Sequence, residues 1–342
     1  MYYKTLTVTK YSKPTKDIFE IKKSFISKNE KNLNWILKVN KFYNKRPKRD
    51  KCKNCNYQIS KKDFLIKNFN VNFYKCKFCG HINGASKDDL KFNKWLYQSN
   101  SGKNYGHTYF SDYKKRVKNI YLPKVKFLKK VVKRKISLLD IGSGAGHFLN
   151  ALEHSKIPAY GIEPNKKLVK LGNSYLKSNK LIFSSMEDIN NIIRNEKKSN
   201  VLSLIGVLEH LNDPNGIIST FYKSKIKYLF LTLPLFSISS YFENNYKNVF
   251  PRVLSGAHTH LYTKKSIEFM IKKNKLKILR SWWFGSDIAD LYRMIIVTSN
   301  NKKNNNYLKD INSKFLKMID DLQHIIDKNK ECNEVHLILK KI

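Results

Sequence analysis

From residue 123 onward, short runs of apolar and β-branched residues alternate with stretches whose apolar positions recur at helical spacing. This is the pattern of a parallel sheet crossed by helices. It predicts helices over 123–133, 146–155 and 165–175, and strands over 136–141, 159–163, 181–184, 201–205 and 228–233. Two more strands are expected at 276–283 and 334–340. Ile288, Leu291, Tyr292 and Ile295 mark a helix after Ser286, and longer amphipathic spacing marks another over about 305–328, beyond the polar linker 300–306. Ahead of this domain the pattern weakens. Residues 1–50 form a lysine-rich extension with Phe19, Phe25, Trp35, Ile36 and Leu37 as scattered anchors, expected to be partly ordered or to form short helices; 51–82 hold two cysteine pairs, and 83–122 form an aromatic connector.

The run Leu138-Leu139-Asp140-Ile141-Gly142-Ser143-Gly144-Ala145-Gly146-His147-Phe148 places three glycines between a buried strand and a helix. Glycines there let the backbone turn sharply against a ligand at a helix N-terminus. About twenty residues beyond the first glycine, Glu163 ends the next strand, where a carboxylate accepts ribose hydroxyls. Asp140 decides between cofactors. An anion before the glycines suits the ammonium of a methionine moiety and opposes a pyrophosphate, which favours S-adenosylmethionine (SAM) over NAD.

Cys52-x-x-Cys55 and Cys76-x-x-Cys79 have the spacing of two metal-binding knuckles. Four thiolates about 2.3 Å from a tetrahedral Zn²⁺ close its coordination sphere, so the expected zinc is structural. Between the pairs, Phe64, Ile66, Phe69, Val71 and Phe73 provide short strands without a self-sufficient core, and the metal supplies the missing stability. Cys332 reads as a packing or surface residue, and His81 is not expected to be a ligand.

The segments 138–146, Gly161-Ile162-Glu163-Pro164 and Val207-Leu208-Glu209-His210-Leu211-Asn212-Asp213-Pro214 resemble the successive motifs of class I SAM-dependent methyltransferases. With the cysteine pairs upstream, the chain is similar to the zinc-ribbon subset that modifies sugars, surface glycans and small metabolites. The resemblance implies an α/β fold with a Rossmann-like, seven-stranded sheet over 123–342 and a small N-terminal four-cysteine zinc ribbon over 51–82. It also implies a cofactor site of Asp140, Gly142, Gly144, Gly146 and Glu163. The aspartate common after the third strand is replaced by Ser184-Ser185-Met186, leaving Met186 and Glu187 as candidates near the adenine. The connector 83–122, with Trp95, Tyr97, Tyr105, His107, Tyr109 and Phe110, resembles a segment folding over the cofactor, or else simply packs on the domain.

Two histidines are the catalytic candidates. His258 and His260 alternate in what reads as an extended segment, so both would point the same way, and an unperturbed imidazole suits proton abstraction. The competing reading is that His260 packs or caps the following helix at 263–273. Glu209-His210 reads as pocket wall and helix packing. Relatives that bind a metal with this pair carry an acid three residues earlier, where Gly206 stands here.

Composition adds three constraints. The 342 residues, 41% of them hydrophobic, suffice for one full core and a satellite. No apolar stretch of about 18 residues and no charged-then-apolar leader is present, so a soluble cytoplasmic protein without a membrane span is expected. The net charge of +41 raises nucleic acid as a partner, but only eight of the 67 basic residues are arginine. Lysines strewn beside asparagine and isoleucine fit the codon bias of an AT-rich genome, and dedicated phosphate surfaces favour arginine. The basic stretch 41–53 reads as solvated linker, with phosphate contact as the alternative. The leading expectation is methyl transfer to a sugar, nucleotide-sugar or related small-molecule acceptor. An RNA methyltransferase and a silent SAM-binding interaction protein are the alternatives, and the oligomeric state is left open.

Overall fold

The computed structural model describes residues 8–15, 25–98, 112–132, 135–300 and 305–342. Its strands are β1 (Val8–Tyr11), β2 (Phe64–Asn68), β3 (Val71–Lys75), β4 (Ile82–Gly84), β5 (Leu138–Ile141), β6 (Ala159–Glu163), β7 (Lys180–Phe183), β8 (Val201–Ile205), β9 (Tyr228–Pro234), β10 (His260–Leu261), β11 (Leu276–Phe284) and β12 (Glu334–Lys341). Eight of them form one sheet in the order β1-β11-β12-β9-β8-β5-β6-β7. β7, β6, β5, β8 and β9 run parallel, and β12 lies antiparallel to both β9 and β11.

Helices cover both faces, and the central strands are apolar throughout because both faces are buried. All four residues of β5 are buried. One face packs Leu139, Ile141, Leu202, Leu204, Leu229 and Leu231 against the helix Pro214–Lys223. The other packs Leu138, Val201, Phe230 and Trp282 against the helices Leu122–Lys129 and His147–His154. This is the expected α/β fold. No helix among the described residues is long and apolar enough to cross a membrane.

The expected seven strands are joined by an eighth. β1 comes from the lysine-rich extension and pairs in parallel with β11, Val8 opposite Arg280 and Tyr11 opposite Trp283. The Trp282 indole N–H donates to the Ser12 carbonyl at 2.8 Å. Four residues with alternating half-burial give no run long enough to stand out in the sequence. The edge of β11 makes them a strand.

The boundary expected at residue 50 falls inside a packed unit. The helix Asn29–Asn44 buries Ile36, Val39, Asn40 and Tyr43, positions that share one helical face. Together with Val71, Phe73, Ile82, Phe92 and Leu96 of the ribbon region, they pack on Val253, Leu254 and Leu261 of the larger domain. β10, which follows β9 by a long connection, completes the ribbon sheet in the order β10-β4-β3-β2, with His260 opposite Asn83.

The solvated character expected over 41–53 holds for Lys41, Lys45, Lys48 and Lys51, which are exposed, but not for Arg49 and Lys53. Asp88 is 1% exposed, and Arg49 Nη2 donates to it at 2.7 Å while Lys53 Nζ pairs with its other oxygen. Lys53 Nζ further donates to the Leu211 carbonyl at 2.6 Å, and the Thr259 hydroxyl donates to Asp88 at 2.9 Å. A buried carboxylate must be neutralised and hydrogen-bonded, and residues 49 and 53 are drawn inward to do this. Removing one partner of such a group is costly, so Lys53→Ala is expected to lower the unfolding free energy by about 3 kcal/mol in urea denaturation of the zinc-loaded protein. A loss below about 1 kcal/mol, the range of exposed ion pairs, would contradict the hub.

Candidate functional site

The loop after β5 is shaped by its glycines and by the neighbouring strand. Gly142 sits at φ +67°, and a Cβ there would lie 2.7 Å from Val207 Cγ2, so both conformation and space require glycine. The amides of Gly142 and Ser143 donate to the Ile162 carbonyl at 2.9 and 3.1 Å, tying the loop to the end of β6. Glu163 closes this arrangement. One of its carboxylate oxygens accepts from the Gly144 amide at 2.9 Å and the other from the Asn165 amide at 3.1 Å.

Two acids face the resulting cavity. Asp140 is 2% exposed and accepts from the Ser203 hydroxyl at 2.6 Å. Burial pushes its carboxyl up to about 6, against the hydrogen bonds from Ser203 and Ser143. Burial likewise raises Glu163 to about 7, opposed by the Gly144 and Asn165 amides and reinforced by the charge of Asp140. The cavity they line has a volume of about 890 Å³ including its open mouth, within the usual range for small-molecule sites. Gly142 and Gly144 line it beside the acids, and Met186, Ile189 and Leu168 add apolar walls.

Other sequence candidates are placed differently. Gly146 does not line the cavity; at φ +71° it turns the chain into the helix His147–His154 and packs near Gly172 and Leu176. Glu187 faces outward in an ion pair with Lys94 at 2.9 Å, while Met186 beside it faces the cavity. The two histidines diverge instead of pointing together. His260 is fully buried in β10 and its Nδ1 lies 2.9 Å from His81 Nε2, so it packs against the ribbon. His258 precedes the strand in a loop and its ring stands 5.4 Å from that of His210, which lines the cavity. A two-residue strand breaks the alternation on which the common direction depended.

Of two aromatic wall residues, Tyr97 was among the connector aromatics named from the sequence, and Tyr121 was not. Tyr97 and Tyr121 line the cavity, and Tyr97 meets His210 edge to face at 5.7 Å. The only signal was the aromatic density of the connector. Trp95 of that connector instead stacks on Phe42 at 4.3 Å. Tyr105, His107, Tyr109 and Phe110 lie outside the described residues.

The four cysteines converge. Their sulfurs all lie within 4.8 Å of one another, with Cys52 and Cys79 3.6 Å apart and Cys55 and Cys76 3.5 Å apart. Tetrahedral zinc with sulfurs at 2.3 Å needs edges of about 3.8 Å, so the donor set fits zinc with a small outward shift. Asn83 and Asn54 point amides at the Cys52 and Cys79 sulfurs from 3.5 and 3.6 Å. Such donors stabilise thiolates.

Residues 113–281 match the family model described as a methyltransferase domain. Over that stretch, just under half of its length, the chain is similar to this family. No curated protein matches the chain. Solved structures that resemble it include a SAM-dependent methyltransferase from Archaeoglobus fulgidus, at 17% identity and TM-score 0.41 over 64% of this chain and 92% of that one. Magnesium protoporphyrin IX methyltransferase from Synechocystis PCC 6803, with bound S-adenosylhomocysteine (SAH), shows 11% identity and TM-score 0.42 over 67% of this chain and 85% of that one. The plantazolicin methyltransferase BamL, in complex with a triazolic desmethylPZN analog and SAH, shows 14% identity and TM-score 0.46 over 73% of this chain and 94% of that one.

The thiolate cluster yields a direct expectation. Metal analysis of the purified protein should find one zinc per chain bound to these sulfurs, and Cys76→Ser should lose it and open residues 25–98 to proteolysis. A protein free of zinc and indifferent to a strong chelator would rule out the site.

Proposed function

We propose that the methyltransferase domain binds SAM in this cavity and transfers its methyl group to a small-molecule acceptor, with a sugar, nucleotide-sugar or surface-glycan precursor as the favoured class. The observation that carries the cofactor reading is the pair of buried carboxylates, Asp140 and Glu163, on either side of a glycine turn. In a chain of net charge +41, two acids lining one cavity make a local negative site. SAM is a cation at its sulfonium and ammonium and a neutral hydrogen-bond donor at its ribose. Each oxygen of Glu163 accepts one backbone amide and retains acceptor capacity for a ribose hydroxyl. In this reading Asp140 takes the ammonium, and Met186 and Ile189, which line the cavity, give the adenine its apolar surface.

Methyl transfer is an in-line displacement. The acceptor's electron pair forms a bond to the methyl carbon as the carbon–sulfur bond breaks and its pair passes to sulfur. Holding the acceptor atom about 3 to 3.5 Å from that carbon supplies much of the acceleration. Of the two candidate histidines, His258 meets a residue of the cavity wall, whereas His260 meets the ribbon. Burial pulls the His258 imidazole down to about 4, which leaves it neutral near pH 7 but a weak base.

The sugar class rests on the resemblance to zinc-ribbon methyltransferases. Against the RNA reading, the stretch 41–53 keeps Lys41, Lys45, Lys48 and Lys51 as its exposed charges, but its basic residues Arg49 and Lys53 are committed to Asp88. Phosphate-binding surfaces need such groups exposed.

Glu163→Ala is expected to weaken SAM binding by about 1.5 to 3 kcal/mol through loss of charged hydrogen bonds, read by calorimetry. Unchanged affinity would mean that Glu163 does not meet the ribose. In the free protein, Glu163 keeps its proton up to about pH 7 and Asp140 up to about pH 6. A cationic ligand binds the carboxylate forms and expels those protons. Affinity should therefore rise by about tenfold or more from pH 5.5 to 8 and level off above the higher of the two values. A flat profile would place both acids away from the ligand.

A further inference from the structure

Beside the cleft, three donors from distant parts of the chain meet. Glu209 and His210 lie on the 3₁₀ turn Leu208–His210 that follows β8, and His258 lies on the loop before β10. One ligand atom from each lies within 4.8 Å of the others. Glu209 Oε1 stands 3.7 Å from His210 Nε2, too far for a hydrogen bond. Donor atoms held about 2.1 Å from a common ion are about 3.0 to 3.4 Å apart, so an ion would draw these two together by only a few tenths of an ångström.

The state of each group points to the same occupant. Glu209 is 3% exposed, and its Oε2 has no hydrogen-bond partner among the described residues. A buried carboxylate oxygen without a donor is costly unless a cation faces it. The Nδ1 of His258 lies 3.2 Å from the Val253 carbonyl, to which it donates, leaving the Nε2 lone pair for a metal.

We propose that Glu209, His210 and His258 bind a divalent first-row transition ion beside the cofactor cleft, with open coordination positions that take a hydroxyl oxygen of the methyl acceptor. Two imidazoles and one carboxylate favour Mn²⁺, Fe²⁺, Co²⁺ or Zn²⁺ over Mg²⁺ or Ca²⁺, and three protein ligands leave the sphere unfilled, unlike the four-thiolate site. The chemical role rests on the methyl-transfer reading, whereas binding of the ion does not. In that role the coordinated hydroxyl releases its proton to bulk water through the open mouth of the cleft. The resulting alkoxide oxygen bonds to the methyl carbon while the carbon–sulfur bond breaks toward sulfur, giving a methyl ether and SAH. The ion thus supplies the activation of the hydroxyl, and the acceptor class narrows to hydroxyl-bearing molecules.

The test uses the full chain with its four-cysteine site filled by zinc, titrated with Mn²⁺ and followed by the electron paramagnetic resonance of the free ion. One Mn²⁺ per chain is expected in addition to the zinc. Glu209→Gln and His258→Asn should each weaken it at least tenfold while SAM affinity, measured separately by calorimetry, stays within about twofold. Retained SAM affinity shows that the variants are folded. The proposal is overturned if the wild-type chain takes up neither Mn²⁺ nor a second zinc at millimolar concentration, or if both variants bind Mn²⁺ as tightly as wild type. Mn²⁺ failure with SAM binding intact rejects the ion alone, whereas SAM failure with Mn²⁺ bound rejects the methyl-transfer reading and leaves the ion site standing.

Discussion

Asp88 is a carboxylate buried where the ribbon meets the larger domain, and the molecule is organised around satisfying it. Arg49 and Lys53 supply the charge and Thr259 a hydroxyl. Lys53 lies between the two cysteines of the first knuckle and also donates to the carbonyl of Leu211, a residue of the cavity wall. Asn215 adds a second strut by donating to the Lys53 carbonyl at 2.6 Å. The first cysteine knuckle and the wall of the cavity therefore share one buried polar network. Such a network holds its members in a single arrangement only when all of them are satisfied.

This coupling gives the ribbon a purpose beyond its own stability. Its sheet is completed by β10, and the connection leading to β10 carries His258 to the side of His210. The four-cysteine site, the cavity wall and the three-donor cluster are thus consecutive layers of one interface. The negative cavity follows from the same economy of charge: in a strongly basic chain, Asp140 and Glu163 are withheld from lysine and arginine partners and bonded to hydroxyls and amides instead. Their carboxylates remain available for a cationic ligand.

Much of the sheet was legible because a strand buried between two helical layers is apolar on both faces, so the parallel β5, β8 and β9 and the antiparallel β12 each announce themselves as a run. The glycine turn and Glu163 were legible because few other residue types fit there, as the contact that any Cβ on Gly142 would make with Val207 shows. The cysteine spacing fixed the knuckles for a similar reason. What escaped depended on tertiary partners. β1 exists because β11 offers an edge, and the inward turn of Arg49 and Lys53 exists because Asp88 is buried far along the chain. The direction of His260 was misread because its strand is set by pairing with β4 and not by local alternation. His258 was singled out, but its meeting with Glu209 is a property of the fold alone.

The claim that ribbon and cleft act as one unit built for SAM is tested most directly by calorimetric titration of SAM into zinc-loaded protein and into the same protein stripped of zinc. The loaded chain should bind one SAM per molecule, and the stripped chain should bind it much more weakly because the wall at Leu211 loses its strut. Absence of binding to the loaded protein, or equal affinity in both forms, would contradict the account.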